Sequence, residues 1–152
     1  METTHLQYLQ EKVPLLLEKL QADTKPAWGI MTAQHMIEHL GGIVRYSASY
    51  RAAPILTPPD ELPTARALVL SGDFPKNFRV GPVPKDPPSY RFASLEEATA
   101  KLLESLKKAT DFLSSNPEKT SNHPVAGKLT GEEWLQFHAG HFKHHFKQFE
   151  LE

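Results

Sequence analysis

Nine of the 13 prolines in this chain fall between Arg51 and Ala93, and that crowding limits the possible folds more than any other feature. A proline has no amide hydrogen to give and holds its predecessor in an extended conformation. The stretch that begins APILTPPDELP and ends DFPKNFRVGPVPKDPPSYRF is therefore predicted to be a long, turn-rich crossover. A short helix over about Thr64 to Leu70 interrupts it. So long a connection in one compact domain is unusual and points to a segment that covers a site or an interface.

The flanks carry helical periodicity. Leu6, Leu9, Val13, Leu16, Leu17 and Leu20 recur at three- and four-residue steps, the spacing of one helix face, although Pro14 should kink that helix or start a new one. A second helix is predicted from about Thr32 to Tyr50. Ser94-Leu-Glu-Glu97 reads as a capping box opening a third, whose Leu95, Ala98, Leu102, Leu106 and Ala109 form a stripe. Thr130-Gly-Glu-Glu133 is a second such box and opens a fourth. No segment reads convincingly as a strand. The expected fold is all-α, an up-down-type four-helix bundle with the proline-rich crossover between helices 2 and 3, and residues 1–152 form a single domain.

Composition removes several function classes. Lys and Arg number 17 against 18 Asp and Glu, a formal charge of −1, so no broad attraction to nucleic acid or to an anionic membrane is expected. Cysteine is absent, which excludes disulfides, thiolate metal ligands and a cysteine nucleophile. The opening METTHLQYLQ has neither the charge nor the apolar run of a secretory signal, and no run of about 18 apolar residues follows. A cytoplasmic, soluble protein is expected, with a small molecule rather than a nucleic acid or membrane as its partner.

What remains is histidine. The segment HFKHHFKQF, residues 141–149, holds three of the eight. On a helical wheel His141 and His145 fall about 40° apart within the apolar face and one turn along the axis, where two imidazoles can share a metal. His138 also turns inward, and His144 lies at the edge of that face. On the second helix His39 points inward with Met36, Ile43, Tyr46 and Tyr50, while His35 lies nearer the rim and Glu38 faces away as a solvated charge. Inward histidines on two helices make a nitrogen donor set for a divalent ion such as zinc or nickel, with positions left for water. The bland reading is a set of hydrogen-bonded core histidines, because an H-x3-H spacing recurs in ordinary helices. Periodicity does not separate His141 and His145 from His138.

Two stretches, LQADTKPAWGIMTAQHMIEHL (20–40) and HPVAGKLTGEEWLQFHAGHFKHHFKQF (123–149), resemble the DinB-like superfamily of metal-dependent four-helix bundles. That resemblance implies a metal triad of His39, His141 and His145, a nickel or zinc ion, and pairing of two bundles into a homodimer. It also implies thiol transfer or hydrolysis, the activities met among such proteins.

Two further residues are candidates for the chemistry. Gln148 shares the His141 face and can orient a bound water or hydrogen-bond a ligand histidine, and a packing contact at the helix end is the alternative. His123, in Asn-His-Pro, can shuttle a proton near neutral pH, or simply hold a turn fixed by Pro124. Trp28 and Trp134 read as core anchors. The expected function is that of a divalent-metal-dependent enzyme in which the ion lowers the pKa of a water or a substrate thiol, giving a hydrolase or thiol transferase. The alternative is a non-catalytic metal- or small-molecule-binding protein, whose metal site would be closed by a fourth ligand such as His138 or His144.

Overall fold

Helix caps set the frame. In the computed structural model, which describes residues 4–49, 54–76 and 88–152, Thr4 and Gln7 exchange side-chain and backbone hydrogen bonds to start the first helical rod. It runs as α1 (His5–Gln7), a π-helical stretch (Tyr8–Lys12) and α2 (Val13–Leu17). The π turn sits immediately before Pro14, and the Val13 amide reaches back five residues to the Tyr8 carbonyl. A residue without an amide hydrogen cannot continue the four-residue ladder, so the helix widens and then restarts.

Thr32 caps α3 (Ala33–Ser47), Ser94 caps α5 (Leu95–Ser115) and Thr130 caps α6 (Gly131–Gln148), each accepting the backbone N–H three residues on. At α6 the box closes, because the Glu133 carboxylate accepts the Thr130 N–H at 3.0 Å. At α5 the Glu97 carboxylate takes the Ala93 N–H instead. Between α3 and α5 lies α4 (Leu62–Ser71), longer than the Thr64–Leu70 expectation and ended by Gly72 in the left-handed region.

The four-helix, all-α expectation is overturned. Among the described residues there are five helical bodies, counting the first rod as one, and a two-stranded antiparallel sheet. β1 (Thr120–His123) pairs with β2 (Gly127–Thr130), His123 opposite Gly127. Pro124 to Ala126 make the turn, and Gly127 has φ +79°, the left-handed residue that closes a three-residue hairpin loop. Leu129 on β2 is fully buried, which pins this short hairpin to the bundle although it has few strand hydrogen bonds of its own.

α3 packs mainly against α5, and both α5 and α4 lie against α6. Leu9, Val13, Met36, Leu40, Val44, Leu102, Ala109, Trp134, Phe142 and Phe146 are sealed in one core. Each large apolar side chain among them contributes roughly 1.5–3 kcal/mol by leaving water.

The crossover is anchored at both described ends. Leu56 N–H donates to Pro124 O at 2.7 Å and Thr57 Oγ1 to Val125 O at 2.7 Å, which tie it to the hairpin turn. Arg66 pairs with Glu133 and also donates to Lys128 O, and Gln136 donates to Leu70 O. These bonds seat α4 over α6. The approach is close enough that a Cβ on Gly140 would lie 2.8 Å from Gly72 Cα. At the far end, the Glu38 carboxylate accepts the Arg91 and Phe92 amides at 2.7 and 3.1 Å. Glu38 is therefore a clamp as well as a solvated charge. Burial pushes its pKa up, but these two bonds and one from Gln34 outweigh that and leave it below the usual carboxylate value. His35, expected near the rim, holds Pro88 O and packs at a tilt against the Tyr90 ring. Tyr50 lies outside the described residues.

Candidate metal centre

Three imidazoles meet where α3 crosses α6. His39 comes from the middle of α3, and His141 and His145 sit one turn apart on α6. Their donor atoms all lie within 4.8 Å of one another. His141 Nε2 is 3.0 Å from His39 Nε2 and 3.2 Å from His145 Nε2. Two nitrogens bound at about 2.1 Å to one ion stand about 3.0 Å apart at a right angle and about 3.4 Å apart at the tetrahedral angle. The two separations from His141 fit that range, and the third pair, His39 and His145, lies within 4.8 Å. The first two are also hydrogen-bond lengths, but a single proton on His141 Nε2 serves only one neighbour, whereas one ion serves all three.

The ring of His145 is set by its partners. Trp28 O can only accept, so the Gln148 amide nitrogen faces it at 2.9 Å, and Gln148 Oε1 is left to face His145 Nδ1 at 2.7 Å. Nδ1 of His145 must then carry the proton, and Nε2 presents its lone pair to the cluster. Gln148 thus hydrogen-bonds a candidate ligand, with both ends of its amide engaged. It is a positioning residue in this geometry rather than one that touches a reacting atom.

Burial keeps the cluster neutral. It lowers the pKa of His145 to about 3, helped by the neighbouring His39, and holds that of His141 well below the ordinary value, with His39 and His145 adding to the effect. His39 is lowered by the same cause, then by His144. His39 keeps much of its surface accessible while protein atoms crowd around it, as a ring lining a hollow does. Unprotonated imidazole is the form that binds metal. His141 Nδ1 is sealed without a hydrogen-bond partner, at a cost of roughly 1–3 kcal/mol.

The other histidines are drawn elsewhere. Ser47 gives its hydroxyl proton to Val44 O at 2.7 Å, so its oxygen accepts from His138 Nε2 at 2.8 Å, and His138 is a buried structural link between α3 and α6. His144 packs edge-on against Trp28 and Phe74. Among the described residues neither joins the triad, and no carboxylate does.

A cavity of about 430 Å³ opens beside the three rings. Its walls are mainly apolar: Ile30 and Met31 before α3, Ile43 on α3, Val69 and Phe74 from the crossover, and Phe137 on α6. Trp28 lines it as well, although its sequence reads as a core anchor. Trp134, in contrast, is fully buried, with its indole N–H on Ser121 Oγ. His123 also lines the cavity, and its Nδ1 accepts the Val125 and Ala126 amides at 3.0 and 3.1 Å. The sequence places a short helix in a crossover expected to cover a site or an interface, but it does not say that Val69 and Phe74 form this wall, nor that the Trp28 carbonyl stands behind Gln148. Both depend on where loops settle, which no periodicity encodes.

Residues 66–152 match the family described as Protein of unknown function (DUF1569). No curated protein matches the chain, and no solved structure does. The matched family is distinct from the DinB-like one, so that resemblance is overturned, and the homodimer it implied has no other basis. The triad does not depend on it, because the distances above stand by themselves.

Proposed function

The chain belongs to the DUF1569 family of proteins of unknown function, and from its geometry we propose a divalent-metal-dependent enzyme that acts on a small molecule held in the cavity beside His39, His141 and His145. The convergence of these three imidazoles on the lining of a mainly apolar hollow carries the reading. A divalent ion such as zinc or nickel bound there would lower the pKa of a water or a substrate thiol toward neutrality, which makes hydrolysis and thiol transfer the natural reaction classes.

The protein's own groups divide the remaining work. Gln148 fixes the His145 tautomer and ring plane through the Trp28 carbonyl. Phe137 stacks on His141 at 5.1 Å and Phe74 meets it edge-on, which limits how far that ring can turn. A closed structural site would need a fourth protein ligand. His138, one candidate for that position, is committed to Ser47 instead, which favours the catalytic reading over the non-catalytic binding protein.

The test is elemental analysis of protein purified without added metal, repeated on His39→Ala and His145→Ala. One ion per chain in the parent, lost from both folded variants, is the expected result. A parent without metal, or either variant retaining its ion, refutes the shared site. Hydrolysis of an activated ester and transfer of a small thiol to an electrophile, each measured with and without the ion, then separate the two reaction classes.

A further inference from the structure

His123 has a single way to be protonated. Two backbone amides, Val125 and Ala126, point their hydrogens at its Nδ1 from 3.0 and 3.1 Å. That nitrogen must offer a lone pair to both, so in the neutral ring the proton resides on Nε2. A second proton on Nδ1 would face two N–H groups head-on. Trp134 and Phe137 hold the ring from the sides, with centroids 5.3 and 4.6 Å away.

Nε2 has no partner among the described residues, yet it is not one of the two nitrogens sealed without one, His138 Nδ1 and His141 Nδ1. The ring is only 6% exposed, and it lines the cavity. Its open edge therefore faces that space as an unsatisfied N–H among Ile43, Val69, Phe74 and Phe137.

We infer that His123 presents Nε2–H as a fixed hydrogen-bond donor to a carbonyl-type oxygen of the substrate, so that the cavity selects small, largely apolar molecules bearing such an acceptor. This rests on the cavity being the substrate site of the proposed function. An apolar pocket with one unpaired donor discriminates sharply, because a ligand lacking the acceptor leaves that donor buried and unmet. A neutral N–H aimed at a carbonyl also polarises it without delivering a proton, and stabilises negative charge that develops on the oxygen. His123 then acts as an electrophile of constant protonation state, a different part from the proton shuttle that its sequence position invites. Burial, which draws its pKa down to about 4, is consistent with that constancy.

The experiment uses the full chain and ring-nitrogen NMR of His123, with acetophenone as the probe and cumene, the hydrocarbon of similar shape, as its control. Nδ1 is expected to resonate as an unprotonated nitrogen and Nε2 as a protonated one from about pH 8 down to about pH 5.5. Acetophenone should move the Nε2 signal and bind about three- to tenfold more tightly than cumene. In His123→Asn the shorter side chain keeps an oxygen for the two amides, as an Asx turn does, but does not reach the cavity. That variant should lose the ketone preference while keeping the metal content of the parent. A ring protonated on Nδ1, or a Nε2 signal that acetophenone leaves in place, overturns the inference. A ketone preference that survives in a parent found to hold no metal supports it and sinks the metal reading alone.

Discussion

At the residue scale, the carboxamide of Gln148 separates holding a metal from building a fold. Replacing it with leucine keeps a side chain of similar size at a buried position but removes the acceptor from His145 Nδ1 and the donor from Trp28 O. Gln148→Leu should stay folded and lose about 10- to 100-fold in metal affinity, the usual cost of deleting a group that orients a ligand histidine. Chelator competition measures it, and an affinity equal to that of the parent would show that the hydrogen bond orients nothing. Much at this scale was readable in advance. His141 and His145 share a face because they stand four residues apart, and His39 shares one with Met36 and Ile43. What separates His138 from them is Ser47, a residue 91 positions away, and no wheel drawn on one helix can contain it.

At the scale of elements, the contact between α4 and α6 is the most exposed to test. Gly140 meets Gly72 backbone to backbone, and neither has a flexible side chain that could yield. Gly140→Val should destabilise the protein by about 1–3 kcal/mol in urea unfolding, through overpacking and displacement of α4 from the cavity wall. Gly42→Ala is the control. No atom lies within 4 Å of its added Cβ, so it should be neutral or stabilising by up to about 1 kcal/mol through helix propensity. Equal effects at the two glycines would mean that the close approach is not real. The starts of α5 and α6 were legible, because Ser94 and Thr130 each meet their partner three residues on. The hairpin was not. Four-residue strands, TSNH and GKLT, carry too little alternation to register, and their pairing is imposed by the turn and by the burial of Leu129.

At the scale of the whole molecule, buried neutral histidines make stability depend on pH. Burial lowers the pKa of His123 to about 4 and that of His138 to about 3, against about 6.5 in the unfolded chain. Between those limits the unfolded chain binds more protons than the folded one, so acid favours unfolding. Their stability contribution is fully present above about pH 6.5 and declines as the pH falls toward 4, by on the order of 1 kcal/mol per pH unit for each ring. Urea unfolding of metal-free protein at about pH 7.5 and about pH 5 reads this slope, and equal stability at the two would contradict the burial of both rings. No helix among the described residues is long and apolar enough to cross a membrane.

By itself the sequence determined which faces are apolar, where α5 and α6 begin, and that histidines of two helices, His138 among them, turn inward, because caps and periodicity act over one to four residues. Only the tertiary structure decided that three of these rings converge, that α4 and a hairpin join the bundle, and that His123 turns its one proton toward the cavity. Those outcomes come from groups distant in the chain meeting in space, where a backbone amide, a serine hydroxyl or the absence of a Cβ fixes what a side chain can do.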